Sequence, residues 1–138
     1  MSIVQTQTTS FKKELYQAIH DLSTDTVKIA LYTGNADLNA DTTVYSATNE
    51  VSGTGYTAGG QTMTGVSISS SGYTAYVNWN NVSWTAALTA RCALIYNASK
   101  SNKSIAVLDF GADKTSAVTF TITMPANGST TALIRSAN

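Results

Sequence analysis

The stretch TARCALIYNAS, residues 89–99, is apolar on both faces from Cys92 to Tyr96. A strand with one wet face alternates apolar and polar residues, whereas a strand covered on both faces is a continuous apolar run. The stretch therefore predicts a central strand with covering layers on both sides. The segment SIAVLDFG, residues 104–111, has the same character and predicts a second covered strand.

Outward from this centre, apolar residues recur at every second position. In TVKIALYT, residues 26–33, they are Val27, Ile29 and Leu31. In SAVTFTITM, residues 116–124, they are Val118, Phe120, Ile122 and Met124, with threonines between them and Pro125 after them. A period of two is typical of strands that bury one face. Both segments are therefore predicted strands.

About eight to ten short strands with frequent turn signals are typical of a sandwich or barrel. Only one helix precedes them, so crossover helices for a parallel sheet are missing. The sequence therefore predicts a mainly β fold, an antiparallel β-sandwich of jelly-roll-like form, as a single domain over residues 1–138.

The N-terminal part has two predicted elements. Residues 1–10 contain Ile3 and Val4 and then a polar run, which fits an arm or an edge strand. Residues 11–22 have apolar positions three and four apart, which predicts a helix with one buried stripe and Ser10 as its cap. These positions are Phe11, Leu15, Ile19 and Leu22.

Composition excludes several classes of function. Eight basic and eight acidic residues give zero net charge, with no basic run to bind nucleic acid. The sequence shows neither a signal peptide nor a long apolar segment, so neither export nor a membrane partner is predicted. One cysteine and one histidine cannot form a disulfide framework or a usual zinc site, so we expect no metal and no cofactor. Cys92 is expected to be buried and inert.

Two loops resemble ligand-binding motifs in part. In NEVSGTGYTAGGQTMTG, residues 49–65, the run 53–58 matches the dinucleotide fingerprint, but the next residues start a helix poorly. We predict turn glycines, with a bend at Gly59 and Gly60. Residues 37–41 place Asp, Asn and Asp as in a calcium loop, yet Thr42 and Thr48 replace the required Gly and Glu. A hydrated loop is the better interpretation.

Catalytic residues are not indicated, and we expect no enzyme. His20 and Asp21 are adjacent, and adjacent helical side chains point about 100° apart. His20 is better explained as a cation favoured at a helix C-terminus. Asp109, which interrupts an apolar run, is expected to pair with Arg91 or Arg135.

Aromatic residues are numerous, with seven Tyr and two Trp. Such side chains are enriched where proteins meet proteins, and they also bind sugars. Core packing is expected for Tyr73, Trp79 and Tyr96. The predicted partner contacts are Ile3, Val4, Tyr56, Tyr76 and Trp84.

Three segments carry a family resemblance: SFKKELYQAIHDLSTDTVKIALYT (10–33), ADLNADTTVYSATNEVSGTGYTAGGQTMTG (36–65) and VNWNNVSWTAALTARCALIYNAS (77–99). Together they resemble small virion structural proteins of tailed bacteriophages and their prophages, from about residue 10 to 110.

The resemblance implies a protein made in the bacterial cytoplasm and located in the virion. The leading hypothesis is a capsid decoration or cement protein that binds the major capsid protein and copies of itself as a homo-oligomer. Exposed strand edges, or residues 1–10 as an arm, would join neighbouring subunits. A tail component, such as an adaptor, tube cap or fibre-attachment module, is the alternative. A carbohydrate-binding module for host glycan is the second alternative, and a hydrolase using His20 comes last.

Overall fold

The computed structural model describes residues 2–137, so the first and last residues of the predicted domain lie outside the described part. Within the described part, one helix and ten strands follow in chain order. They are β1 Thr6–Gln7, α1 Thr9–Tyr16, β2 Val27–Tyr32, β3 Gln61–Thr62, β4 Ser67–Ser71, β5 Thr74–Asn78, β6 Val82–Trp84, β7 Thr89–Asn97, β8 Lys103–Thr115, β9 Phe120–Ile122 and β10 Ile134–Ser136.

The strands form three antiparallel sheets. The largest has the order β1-β8-β7-β2-β3, the second has the order β10-β5-β4, and β6 pairs with β9. Strand β7 is the centre of the largest sheet, with Ile95 opposite Ile29 on β2 and Leu94 opposite Val107 on β8. The prediction of a central strand over 89–99 is confirmed.

The main core lies on one face of the five-stranded sheet. Side chains from that face, including Ile29 and Ile95, share one apolar cluster with Trp84 of β6, Phe120 of β9 and Ile134 of β10. The two smaller sheets therefore pack on this face, and the mainly β, sandwich-like fold class is confirmed. A second cluster covers the opposite face, where Cys92 is buried as expected.

The helix is shorter than the 11–22 prediction. It begins two residues earlier, at Thr9, because the buried Thr8 hydroxyl, rather than Ser10, accepts the Phe11 N–H. It ends at Tyr16, because Ala18 adopts a left-handed conformation with φ 57°. The Ile19 N–H then bonds to the Glu14 carbonyl, which closes a Schellman turn. That turn usually uses glycine, so the sequence has no obvious stop signal.

The N-terminal segment lies along its own chain. The Val4 N–H donates to the Leu38 carbonyl and the Leu38 N–H donates to the Ser2 carbonyl. Thr6 and Gln7 then pair with β8. Of the two predicted forms of this segment, the structure shows the edge strand, at Thr6–Gln7.

The strand predicted over residues 116–124 is present but shorter than predicted. Of residues 116–124, only Phe120–Ile122 pair as a strand, and Val118 is 69% exposed. Alternation gave the inward face correctly for Phe120, Ile122 and Met124, which are buried. Strand length depends on the partner, and β6 offers only three residues to pair with.

Candidate functional site

The five predicted contact residues do not form one surface. Val4 is exposed, whereas Ile3 and Tyr76 are half-buried. Tyr56 and Trp84 are buried, so the prediction that they face a partner is wrong. Trp84 is only 2% exposed because β6 turns it inward against Phe120, with ring centroids 6.3 Å apart. Tyr56 lies behind it, 6.0 Å from the Trp84 ring.

Tyr56 belongs to a hydrogen-bonded cluster centred on Glu50. The hydroxyls of Tyr45 and Tyr56 each donate to the Glu50 carboxylate at 2.5 Å, and the Gly59 N–H donates at 2.8 Å. The Tyr56 hydroxyl also accepts the Leu31 N–H of β2 at 2.9 Å. One carboxylate therefore fastens the loop of residues 45–60 to the large sheet.

Two further tyrosines complete this attachment. The Tyr96 hydroxyl donates to the Gly59 carbonyl at 2.6 Å, and its ring stacks on Tyr45 with centroids 4.7 Å apart. The Tyr32 hydroxyl donates to the Ser46 carbonyl at 2.7 Å. Burial, followed by the nearby Glu50 charge, raises the pKa of Tyr96 to about 12 and the pKa of Tyr32 further. These phenols serve as neutral donors.

The glycine-rich stretch packs against the sheet. A Cβ built on Gly60 would lie 1.8 Å from the Ile29 carbonyl oxygen, and one on Gly55 would lie 2.7 Å from the Thr85 carbonyl oxygen. Gly59 and Gly60 both have positive φ, and strand β3 follows them where a nucleotide fold would have a helix. The prediction of a turn is confirmed, and these glycines allow close backbone approach.

The acidic loop at residues 37–41 bonds to itself and to the N-terminus. The Asp37 carboxylate accepts the Ser2 N–H at 3.0 Å and the Asn39 side-chain amide at 3.2 Å. The Asn39 side-chain oxygen accepts the Asp41 N–H at 2.9 Å. These bonds are those of the turn-forming loop that the sequence favoured. Within residues 2–137, no three His, Cys, Asp or Glu side chains are placed to share a metal ion.

His20 is buried and lies beyond the last helical residue, Tyr16, so the interpretation of His20 as a cation favoured at the helix C-terminus is wrong. The chain reverses at Ala18 and returns His20 to the helix, where its Nε2 lies 2.8 Å from the Glu14 carboxylate. Its Nδ1 accepts the Asn97 amide at 3.0 Å, which assigns the proton to Nε2. The imidazole side chain has no solvent exposure, so this His–carboxylate pair serves packing and orientation.

The same network continues to a charged pair. Asn97 also donates to the Asp25 carboxylate at 2.7 Å, and the Lys100 ammonium lies 2.8 Å from it. Burial alone would raise the pKa of Asp25. Hydrogen bonds from Lys100, Asn97 and the Asp21 N–H outweigh that effect and lower the pKa to about 2. The cluster ties the segment after the helix to the β7–β8 turn.

Of the two partners predicted for Asp109, Arg91 and Arg135, it is Arg91 that forms an ion pair with it. The Gly111 N–H and then Arg91 lower the pKa of Asp109. The Gln5 side chain accepts the Asp109 N–H at 3.0 Å, so the N-terminal segment also covers this part of β8.

A groove of about 780 Å³ lies between β8 and the segment around β9. Its apolar lining includes Leu108, Phe110, Phe120 and Met124, and threonines at 119, 121 and 123 also border it. The threonine face that the sequence assigned to 116–124 therefore borders an open surface.

An uncharged segment forms much of the second sheet. Residues 51–90 contain no Asp, Glu, Lys, Arg or His, and they include all of β4 and β5. At the tip of the β4–β5 hairpin, Tyr73 is 93% exposed, so its predicted place in the core is wrong. Trp79 and Tyr96 are buried as expected. Tyr73 lies with Gly72 in the two-residue turn that joins β4 and β5, which leaves its side chain outside the core.

Comparison with family models, with curated proteins and with solved structures finds no match to this chain. Among the described residues, no helix has the length and apolar character needed to cross a membrane.

Sequence reasoning missed Glu50, Asn97 and the exposed hairpin. Glu50 and Asn97 look like ordinary polar residues, since their bonding partners are brought in by distant segments. The hairpin had a signal in the sequence, namely the uncharged run between Glu50 and Arg91.

Proposed function

We propose that this chain is a structural component of a tailed-phage particle and acts as a capsid decoration protein. The observation that carries the proposal is the uncharged segment of residues 51–90, whose β4–β5 hairpin exposes Ile68 and Tyr73. The sequence resemblance supplies the biological setting. Binding to the major capsid protein and residence in the virion are parts of the proposal, and catalysis is not.

A neutral, hydroxyl-rich surface suits a protein that is repeated over a lattice. Neighbouring copies present the same surface to one another, so a strong charge on that surface would make the copies repel each other. Serine and threonine hydroxyls provide hydrogen bonds without net charge. Contacts that are individually weak become strong when many are made at once.

Copy number in the purified virion tests this proposal. A decoration protein follows the capsid lattice, so we expect on the order of hundreds of copies per particle by quantitative mass spectrometry. About a dozen copies or fewer would instead indicate the alternative, a tail component with ring symmetry. Absence of the chain from purified particles would contradict both roles.

The carbohydrate-binding alternative loses support from the burial of Trp84. A sugar platform needs an exposed aromatic face, and this ring is packed between Tyr56 and Phe120.

A further inference from the structure

Strand β4 is an open edge of the second sheet. Residues 67–71 pair with β5 on one side, and no other strand of the described chain pairs on the other side. In an antiparallel ladder, alternate residues direct their N–H and C=O groups away from the partner. A two-residue turn fixes Ser71 opposite Thr74 as a bonded pair, so Ile68 and Ser70 are the residues that direct these groups outward.

One row of apolar side chains runs across this sheet and stops at that edge. Ile134 of β10 lies opposite Val77 of β5, and Val77 lies opposite Ile68 of β4. Ile134 is 4% exposed, Val77 is half-buried and Ile68 is 52% exposed. The inward face of the sheet thus continues to its last strand, where the apolar side chain of Ile68 is left more than half exposed.

The β4 edge also lacks the usual protection against strand pairing. Edge strands commonly carry lysine, proline or a bulge that blocks a second chain. The β4 sequence is SISSS, with a regular register to β5. By contrast, the edge of β8 is shielded by β1 and by the Gln5 side chain.

We propose that β4 pairs antiparallel with β4 of a second copy, about a two-fold axis at Ile68. This inference deepens the proposed function, on which its role in the particle rests, by naming the contact between copies. The pairing joins two three-stranded sheets into one of six strands. It places Ile68 beside its symmetry mate, so the apolar row becomes continuous from Ile134 of one copy to Ile134 of the other.

A second copy fits this edge because the interface is self-complementary. Each outward N–H meets an outward C=O of the same strand in reverse direction, as a two-fold contact requires. The one charged residue of the sheet, Arg135, lies on β10. Five strand spacings of about 4.8 Å separate it from its mate, well beyond the screening length of about 8 Å. Like charges therefore do not oppose the contact.

Sedimentation equilibrium of the full chain tests the pairing. We expect the wild type to have twice the 14.5 kDa chain mass and Ile68→Lys to have the chain mass, because the lysine would place two like charges at the axis. Val118→Lys is the matched control, an exposed valine on another surface, and should keep the wild-type mass. All three should give the same far-ultraviolet circular dichroism spectrum, which shows that each variant is folded. A monomeric wild type, or a dimeric Ile68→Lys, overturns the proposal.

Cysteine cross-linking tests the register, since the native Cys92 is buried. Ile68→Cys places the two cysteines about 5.5 Å apart at Cα, within disulfide range, and should form a covalent dimer on oxidation. Ser70→Cys separates them by about four residues, roughly 13 Å, and should not. The reverse pattern overturns the register. High copy number with a monomeric soluble chain rejects this pairing alone, whereas a dimer missing from virions rejects only the particle role.

Discussion

Glu50 decides the position of a whole loop with one side chain. Its two oxygens accept the hydroxyls of Tyr45 and Tyr56 and the N–H of Gly59, so the loop of residues 45–60 is held at both ends. Tyr56 in turn accepts a backbone N–H from β2. A carboxylate is an acceptor only, which is what two hydroxyl donors and one amide donor need.

Glu50→Gln should therefore destabilise the protein, because the amide turns one acceptor into a donor that faces a hydroxyl. Losing a charged acceptor and leaving partly buried donors unpaired costs about 1–3 kcal/mol. Urea unfolding followed by tryptophan fluorescence measures this free energy. Asp41→Asn, the same loss of charge at an exposed carboxylate, is the control and should change it by less than about 0.5 kcal/mol. Equal effects of the two substitutions would contradict the role given to Glu50.

At the scale of elements, two glycine turns with the same backbone freedom have different reasons for being glycine. Gly60 has φ 79° and lies against the Ile29 carbonyl of β2. Gly72 has φ 58° in the β4–β5 turn and faces open space, with no atom within 4 Å of a built Cβ. Gly60 is needed both for its left-handed backbone and because a side chain would have no room. Gly72 is needed for its left-handed backbone only.

Gly60→Ala should therefore cost much more stability than Gly72→Ala. Left-handed backbone alone costs alanine about 1–2 kcal/mol, which is the whole effect expected at Gly72. At Gly60 the clash forces the loop off β2, and we expect a loss of more than about 3 kcal/mol, as for other severe steric changes. Thermal melting of the two variants side by side makes the comparison. Similar melting temperatures would show that the loop does not need its close approach to β2.

At the scale of the whole molecule, stability depends on phenols that are kept neutral. Folding raises the pKa of Tyr32, Tyr45, Tyr56 and Tyr96 above the ordinary value of 10.0, first through burial. Because the folded values are raised, this contribution is complete below pH 10 and is lost as the pH rises through the folded values. All four side chains belong to the cluster that attaches the loop of residues 45–60 to the five-stranded sheet.

We therefore expect cooperative alkaline unfolding. The free energy of unfolding should stay constant to about pH 9, then fall by up to about 1.4 kcal/mol per pH unit for each buried tyrosine. Urea midpoints between pH 8 and 12 measure it, and phenolate absorbance at each pH shows when the rings ionise. Ionisation of these four rings before unfolding, with unchanged midpoints, would contradict their assigned burial.

Elements that depend on residues close together in the sequence were predictable from the sequence alone. The apolar run from Cys92 to Tyr96 identified the central strand, alternation identified β2, and the glycines at 59 and 60 identified a turn. Each of these signals lies within a few residues, because strand periodicity and backbone freedom are local properties. Taken together, these local signals predicted the antiparallel β class.

What the tertiary structure alone decided is where each side chain points once distant segments meet. Trp84 is buried because β9 returns beside β6, and His20 is buried because the chain reverses at Ala18 and meets Asn97. The open edge at β4 exists because β10, and not another strand, takes the far side of β5. Such contacts join residues far apart in sequence, and packing selects among the many pairings that local pattern permits.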